Sequence, residues 1–139
     1  MATTTATITL ASTDIADNAL NISNTATFYT AGTDTGITET TGLARKKTNS
    51  GNNTVLLDSG AGAAADVTAD KSAKVYIKNI NDRGDGTKFV TILLTAVEIG
   101  RLYGGDWMLI PWAGGSGKDI EFTASDTTET TLEYAVFYE

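Results

Sequence analysis

Apolar and polar residues alternate with a period of two along much of this chain. Residues 72–80 show the pattern most cleanly, with an apolar face of Ala73, Val75 and Ile77 and an outward face of Lys74, Tyr76 and Lys78. Successive side chains of a strand point to opposite faces, so this alternation predicts half-buried strands. No stretch convincingly shows the helical period of about 3.6 residues. Other strands are predicted at residues 3–10, 19–30, 54–57, 87–95, 107–112, 119–124 and 131–138.

The turn residues between these segments indicate the fold class. Residues 81–86, Asn-Asp-Arg-Gly-Asp-Gly, are predicted to close a hairpin between the strands at 72–80 and 87–95. Short strands separated by turns predict an all-β fold, either a β-sandwich or a jelly-roll-like barrel of about 8–10 short strands. The length of 139 residues and the lack of a linker predict a single β-domain over residues 1–139. Residues 1–10 are predicted as an amino-terminal arm, and we expect Ala2 to Thr7 to become ordered only on assembly.

The segment at residues 97–112 organises the predicted core. It holds both tryptophans and the only proline, and two apolar runs flank a Gly104-Gly105-Asp106 turn. Pro111 predicts a sheet edge or a bulge, because proline cannot donate to a strand ladder. The predicted core contains Trp107 or Trp112 together with Phe89, Leu93, Leu109 and Phe122.

The residue types leave little room for catalysis. The chain has no cysteine and no histidine, which excludes the histidine forms of the serine and cysteine triads. The carboxylates that could act as a pair are Glu98, Asp106, Glu121 and Glu133. Glu121 and Glu133 alternate with apolar residues, which is typical of a solvated sheet face. We therefore expect no enzyme activity and no cofactor.

Two groups of residues have the chemistry of a binding site, and each also has a simpler interpretation. Oxygen ligands for calcium occur together at Asn79, Asn81, Asp82 and Asp85. Their spacing differs from the EF-hand pattern, and a plain turn is the favoured interpretation, so no metal site is predicted. A sugar-stacking platform could involve Tyr76, Tyr103, Trp107 and Trp112. The two tryptophans are five positions apart on one strand and point to opposite faces, so core and interface packing is favoured.

Charge is distributed unevenly along the chain. The net charge is −7, which argues against a nucleic-acid partner. No apolar run approaches the roughly 20 residues that span a bilayer, so no membrane partner is expected. Residues 45–88 carry eight bases and five acids, while the segments on either side are acidic. The predicted contacts with an acidic partner are Arg45, Lys46, Lys47, Lys74, Tyr76, Lys78 and Lys88.

Three motifs carry a resemblance to a known class of proteins. They are Leu102-Tyr103-Gly104-Gly105-Asp106-Trp107-Met108-Leu109-Ile110-Pro111-Trp112, then Asp119-Ile120-Glu121-Phe122-Thr123-Ala124-Ser125, and finally Leu132-Glu133-Tyr134. From residue 72 onward the chain resembles small β-rich structural proteins of tailed bacteriophages. Those proteins carry a Gly-Asp-aromatic…Ile-Pro corner, a strand similar to Ile-x-Val-x-Ala-Ser, and a closing Leu-Glu-Tyr strand. The chain departs from the pattern at Phe122, where a smaller apolar residue is common.

The resemblance implies a structural role in the virion, after assembly in the host cytoplasm. We expect a capsid decoration (cement) protein that stabilises the head by bridging capsid subunits. It would contact the major capsid protein as a homo-oligomer, expected to be a trimer. The alternative is a tail- or fibre-associated domain that binds a host receptor or glycan, and a bacterial β-domain without a phage link is a third interpretation.

Overall fold

The computed structural model describes residues 3–13, 19–30, 32–37, 39–48, 51–59, 73–84, 86, 88–114, 117–125 and 129–138. Ala2 of the predicted arm and Asp85 of the considered metal site lie outside these residues. The described residues form eleven strands and no helix, which confirms the all-β prediction. The strands are β1 (Thr5–Ser12), β2 (Leu20–Thr27), β3 (Glu39–Thr40), β4 (Ala44–Thr48), β5 (Thr54–Leu57), β6 (Ala73–Asn79), β7 (Phe89–Leu94), β8 (Val97–Tyr103), β9 (Trp107–Trp112), β10 (Ile120–Ala124) and β11 (Thr130–Tyr138).

The chain divides into two compact units, Met1–Thr38 and Glu39–Glu139. The second unit contains two antiparallel sheets. The four-stranded sheet has the order β5-β10-β7-β8, and the five-stranded sheet has the order β3-β11-β6-β9, with β4 also paired to β11. The single domain expected over residues 1–139 stays a prediction, and each unit is described separately below.

The two sheets of the second unit share one hydrophobic core, so this unit is a β-sandwich. Every second residue of each central strand points inward, as the alternation requires. The largest fully buried side chains among the described residues are Leu57, Val75, Ile77, Val90, Ile92, Ile120, Phe122, Leu132 and Val136. They come from both sheets, which is what joins the sheets face to face.

The predicted core is partly confirmed. Trp112 is 4% exposed and Phe122 is fully buried, and Leu93 is also buried. Trp107 is 49% exposed, which settles the choice between the two tryptophans. Phe89 and Leu109 are wrong as core residues. Both are only half-buried, because the register of their strands turns them to the outer faces.

The hairpin predicted at residues 81–86 is wrong. Strand β6 lies in the five-stranded sheet and β7 in the four-stranded sheet, so the connection crosses between sheets. The turn after β8 crosses back in the same way. The two crossings touch, since a Cβ atom on Gly104 would lie 2.6 Å from the Asp82 carbonyl oxygen and 2.7 Å from that of Asn81. Only glycine permits this close approach of two backbones.

The first unit contains a two-stranded antiparallel sheet of β1 and β2, paired from Thr5↔Thr27 to Ser12↔Leu20. One face carries the hydroxyl groups of Thr7 and Thr25, whose oxygens are 2.8 Å apart. The other face carries the apolar residues that were predicted to be buried. That prediction is wrong for the exposed large side chains, which are Ile8 (36%), Leu10 (52%), Leu20 (42%) and Ile22 (48%).

Candidate interaction surface

The outer face of the five-stranded sheet brings most of the predicted contact residues together. We call this surface the outer face. It is built from alternate residues of β4, β6, β9 and β11, which are Arg45, Lys47, Lys74, Tyr76, Lys78, Trp107, Leu109, Pro111, Thr131, Glu133, Ala135 and Phe137. It therefore mixes cations, aromatic rings and one half-buried carboxylate on a single surface.

Strand β6 fixes the centre of this face. Val75 and Ile77 are fully buried in the core, so the residues between and beside them must point outward. The outward residues are Lys74, Tyr76 and Lys78, each half-buried. The predicted orientation of these three side chains is confirmed.

A row of charged side chains crosses the sheet from β4 through β11 to β6. Arg45 is paired with Glu133, and Lys78 lies opposite Glu133 on its other side. The Nε and Nη2 atoms of Arg45 donate to Glu133 Oε2 at 3.1 and 3.0 Å. The Glu133 side chain is only 13% exposed, so its charge is better shielded from water than that of a typical surface carboxylate. Its interaction with Arg45 therefore orients both side chains on this face.

A second ion pair lies at the edge of the face. Lys47 Nζ donates to Glu129 Oε1 at 2.8 Å. Both side chains are well exposed, so the pair contributes about 0–1 kcal/mol to stability. The two ion pairs partly neutralise the cations of β4.

An aromatic pair occupies the other side of the row. The ring centroids of Tyr76 and Trp107 are 6.4 Å apart, with an interplanar angle of 36°. Burial raises the pKa of Tyr76 above its ordinary value of 10.0, and the charge of Glu133 raises it further. The phenol therefore keeps its proton across the physiological range and can donate a hydrogen bond. Trp107 offers an exposed ring next to it.

Not every predicted contact residue lies on this surface. Lys46 lies opposite Leu132 and so has the inward register of β4. Lys88 precedes β7 and lines a cleft of about 310 Å³ with Asn79, Asn81, Asp82 and Glu129 among its other walls. The predicted basic group is therefore divided among three locations.

Several residues of the face were missed as contact residues because their positions depend on pairing between distant strands. Glu133 joins it through the pairing of β4 with β11. The segment of β4 was not predicted as a strand, since Arg45, Lys46 and Lys47 follow one another without alternation. Trp107 was named as a possible platform residue, and its exposure could be decided only by the register of β9 with β6.

The turn considered for metal binding serves a structural purpose. Asn79 is buried, and its side-chain Nδ2 donates to the Leu102 carbonyl at 3.0 Å. Its Oδ1 accepts from Asn81 N and Nδ2 at 3.1 and 2.5 Å. Among the described residues no group of three or more histidine, cysteine, aspartate or glutamate side chains could hold a metal ion. The amide oxygen of Asn79 is thus used within the protein, where it joins β6 to the following turn.

Two of the carboxylates considered as a pair, Glu121 and Glu133, lie on different sheets. Glu121 lies on the four-stranded sheet and Glu133 on the five-stranded sheet. Glu121 Oε2 accepts a hydrogen bond from the Ala96 backbone at 2.9 Å, and Glu98 Oε1 accepts one from Arg101 at 2.9 Å. These acids stabilise local structure.

Comparisons with known proteins identify no relative of this chain. No family model, no curated protein and no solved structure matches the chain. Within the part of the chain that the structure describes, no helix is long and apolar enough to cross a membrane. The outer face and the motif resemblance are the two features of the chain that bear on its function.

Proposed function

We propose that this chain is a virion structural protein of a tailed bacteriophage, and specifically a capsid decoration protein that bridges subunits of the major capsid protein. The observation that carries the proposal is the outer face. It is a broad sheet surface on which the half-buried ring of Tyr76 and the exposed ring of Trp107 lie beside charged residues. The motif resemblance supports the phage assignment, since its residues form β9, β10, β11 and the corner before β9.

The composition of the face suits contact with another protein. Stable interfaces tend to place a few aromatic or arginine anchors at the centre and polar residues at the rim. Tyr76 and Trp107 would serve as the anchors, while Arg45, Lys74 and Lys78 would face acidic groups of the capsid subunit. Charges of this kind mainly set the association rate and its salt dependence.

The expected assembly is a homo-oligomer, with a trimer as the preferred state. Closed symmetry repeats one self-compatible contact, and the local symmetry axes of a shell offer matching docking points. A trimer would present three copies of the outer face at once, so weak single contacts would combine into firm attachment.

The test is to add the purified protein to undecorated shells and to measure attachment by pelleting and electron microscopy. Trp107→Ala should weaken attachment about 30-fold or more, if this side chain is an anchor of about 2 kcal/mol. Lys78→Glu should weaken it by roughly tenfold or more and reduce its salt dependence. Arg101→Glu is the matched control, because it makes the same charge change on the four-stranded sheet and should leave attachment unchanged. A wild-type protein that leaves shells bare at every salt concentration would contradict the proposal.

A second candidate function is binding of a host glycan by a tail- or fibre-associated domain. The Tyr76–Trp107 pair favours it, because the exposed Trp107 ring, beside charged groups that form hydrogen bonds, can stack on a sugar face. Glycan arrays and host-cell binding distinguish the two candidates. Retention of the protein on glycans or cells, lost in Trp107→Ala, together with bare shells would favour the second candidate over the first.

A further inference from the structure

The hairpin of β1 and β2 has two unlike faces. The hydroxyl face carries direct contacts between Thr7 and Thr25 and between Thr9 and Ser23, with oxygen separations of 2.8 and 3.5 Å. Its side chains therefore satisfy one another across the strands. The opposite face, which we call the hairpin face, carries Ala6, Ile8, Leu10, Leu20, Ile22 and Ala26, with Ser12 and Asn24 as its polar members.

Burial along the hairpin face stops near its base. Phe28 extends the ladder beyond β2, since its backbone N–H donates to the Thr4 carbonyl at 2.9 Å, and it is buried. Further along, Leu10 and Ile22 lie directly opposite each other and are both about half exposed. The face therefore presents adjacent large apolar side chains to water, which monomeric proteins seldom do without a binding role.

The edges of the hairpin are also unprotected. Among the described residues, β1 and β2 pair only with each other. Exposed edge strands usually carry lysine, proline or a bulge that blocks pairing with another chain. Neither strand contains a charged residue or a proline, and their register has no shift. A two-stranded sheet alone is only marginally stable in water, so a covering partner is expected.

The charge pattern favours a second copy of this chain as that partner. The protein carries a net charge of −7, so the net charges of two copies repel each other. The two hairpin strands carry no charge, so two hairpin faces can meet without direct repulsion between their own side chains. An uncharged apolar face is also complementary to itself, which is what a symmetric contact requires.

We propose that the hairpin face is the self-association surface of this protein and packs against the hairpin faces of other copies around a closed symmetry axis. The hydroxyl faces then remain outward in water. Self-association through the hairpin face does not require attachment to a capsid, because the same contact could form in a tail protein. The hairpin face shares no residue with the outer face of the five-stranded sheet.

The first test compares two neighbouring substitutions in the full-length protein. Leu10→Asp places a charge on the hairpin face, and Thr9→Asp places the same charge on the hydroxyl face. Sedimentation velocity at micromolar concentrations should show an oligomer for the wild type and for Thr9→Asp, and a monomer for Leu10→Asp. Far-ultraviolet circular dichroism and the denaturant midpoint check that each variant is folded. A monomeric wild type, or an oligomer that persists equally in both variants, would overturn the proposal.

A second measurement stays informative if Leu10→Asp fails to fold. The chain has no cysteine, so a single introduced thiol reports on one position. Ile22→Cys lies on the hairpin face, and Ser23→Cys is its neighbour on the hydroxyl face. Under mild oxidation, Ile22→Cys should form disulfide-linked dimers much faster than Ser23→Cys. Equal rates for the two variants would count against a contact through the hairpin face, whatever the outcome of shell binding.

Discussion

At the scale of single residues, the hydrogen bonds around Ser59 and Asp119 link three parts of the sandwich. The Ser59 backbone N–H and hydroxyl donate to Asp119 Oδ1 at 2.8 and 2.5 Å. The Ser59 hydroxyl accepts from the Lys118 backbone at 2.9 Å, and the Lys118 carbonyl accepts from Trp112 Nε1 at 2.7 Å. The buried tryptophan is thereby oriented through a serine on another strand connection.

Because of this arrangement, we expect the stability of the folded protein to decrease at acidic pH. The Ser59 hydroxyl and then its backbone N–H hold the pKa of Asp119 below its ordinary value of 3.8, against a smaller opposing effect of burial. The ionised form is favoured in the folded state, so its contribution is fully present above that ordinary value and is lost as pH falls through the lowered one. Urea midpoints measured from neutral pH down to about pH 3 should fall less steeply for Asp119→Asn and for Ser59→Ala than for the wild type. Curves parallel to the wild type for both variants would show that Asp119 does not carry this effect.

Glycine at position 104 is required by the crossing of two backbones. We expect Gly104→Ala to destabilise the protein by roughly 1–3 kcal/mol, because a Cβ atom would meet backbone oxygens that cannot move away easily. Gly100→Ala is the control, since a Cβ atom there meets nothing within 4 Å. Chemical denaturation of both variants is the measurement. A Gly104→Ala protein as stable as Gly100→Ala would mean that the two crossings separate at little cost.

The sequence indicates single residues only where the cause is local. A turn at Gly104-Gly105-Asp106 was predicted from residue type, and Gly105 has a φ of 86°. The role of Gly104 could not be predicted, because the backbone that approaches it belongs to residues 81–82. Ser59 and Asp119 are sixty residues apart in sequence, and nothing at either position marks the other as its partner.

At the scale of elements, the turn between β7 and β8 has an unusual sequence. Thr95 and Ala96 have φ values of 49° and 63°, the positive pair of a type I′ hairpin, where Asn-Gly is preferred. Tertiary hydrogen bonds hold it in place: Thr95 Oγ1 donates to the Gly117 carbonyl at 2.5 Å, and the Ala96 N–H donates to Glu121 at 2.9 Å. Strain in the turn is therefore offset by its contacts with β10 and the loop before it.

Relief of that strain should stabilise the sandwich. We expect Ala96→Gly to raise the free energy of unfolding by about 1 kcal/mol, since glycine adopts positive φ without the steric cost of a Cβ atom. The donor to Glu121 is a backbone N–H and is kept. Ala113→Gly is the control, because Ala113 is exposed and does not have positive φ, and it should be neutral or destabilising. Thermal and urea unfolding would contradict this reasoning if both variants changed stability in the same direction by the same amount.

Elements were predicted well where burial imposes alternation. Strands β6 and β10 have buried and half-buried positions in turn, and their sequences show this alternation. Strand β4 lies at an edge and carries consecutive charges, which suits an edge and hides the period. A hairpin was wrongly predicted at residues 81–86, because the turn residues there fit a connection within one sheet and a connection between two sheets equally well. Pairing partners, which decide between the two, are set by packing far along the chain.

At the scale of the whole molecule, the two proposed surfaces differ in their physical chemistry. The hairpin face is uncharged, whereas the outer face carries Arg45, Lys74 and Lys78 around its aromatic pair. The predicted basic group indicated a charged contact, because the cations cluster in sequence at residues 45–88. The hairpin face could not be predicted as an interaction surface from the sequence. Its alternation predicts that one face of each strand is buried, but it does not say whether the covering residues belong to the same chain or to another copy.

Salt should therefore separate the two contacts. Screening shortens the range of charge interactions to roughly 3 Å at 1 M salt, so attachment of the outer face to an acidic partner should weaken as sodium chloride rises. Apolar burial is not weakened by such screening, and sulfate strengthens it, so the oligomer should persist at the same ionic strength and tighten in sulfate. Sedimentation velocity and shell pelleting across one salt series measure both quantities on the same protein. If the oligomer dissociates and the attachment to shells is lost over the same range of salt concentration, one charged surface serves both contacts. The assignment of self-association to the hairpin face and of attachment to the outer face would then be wrong.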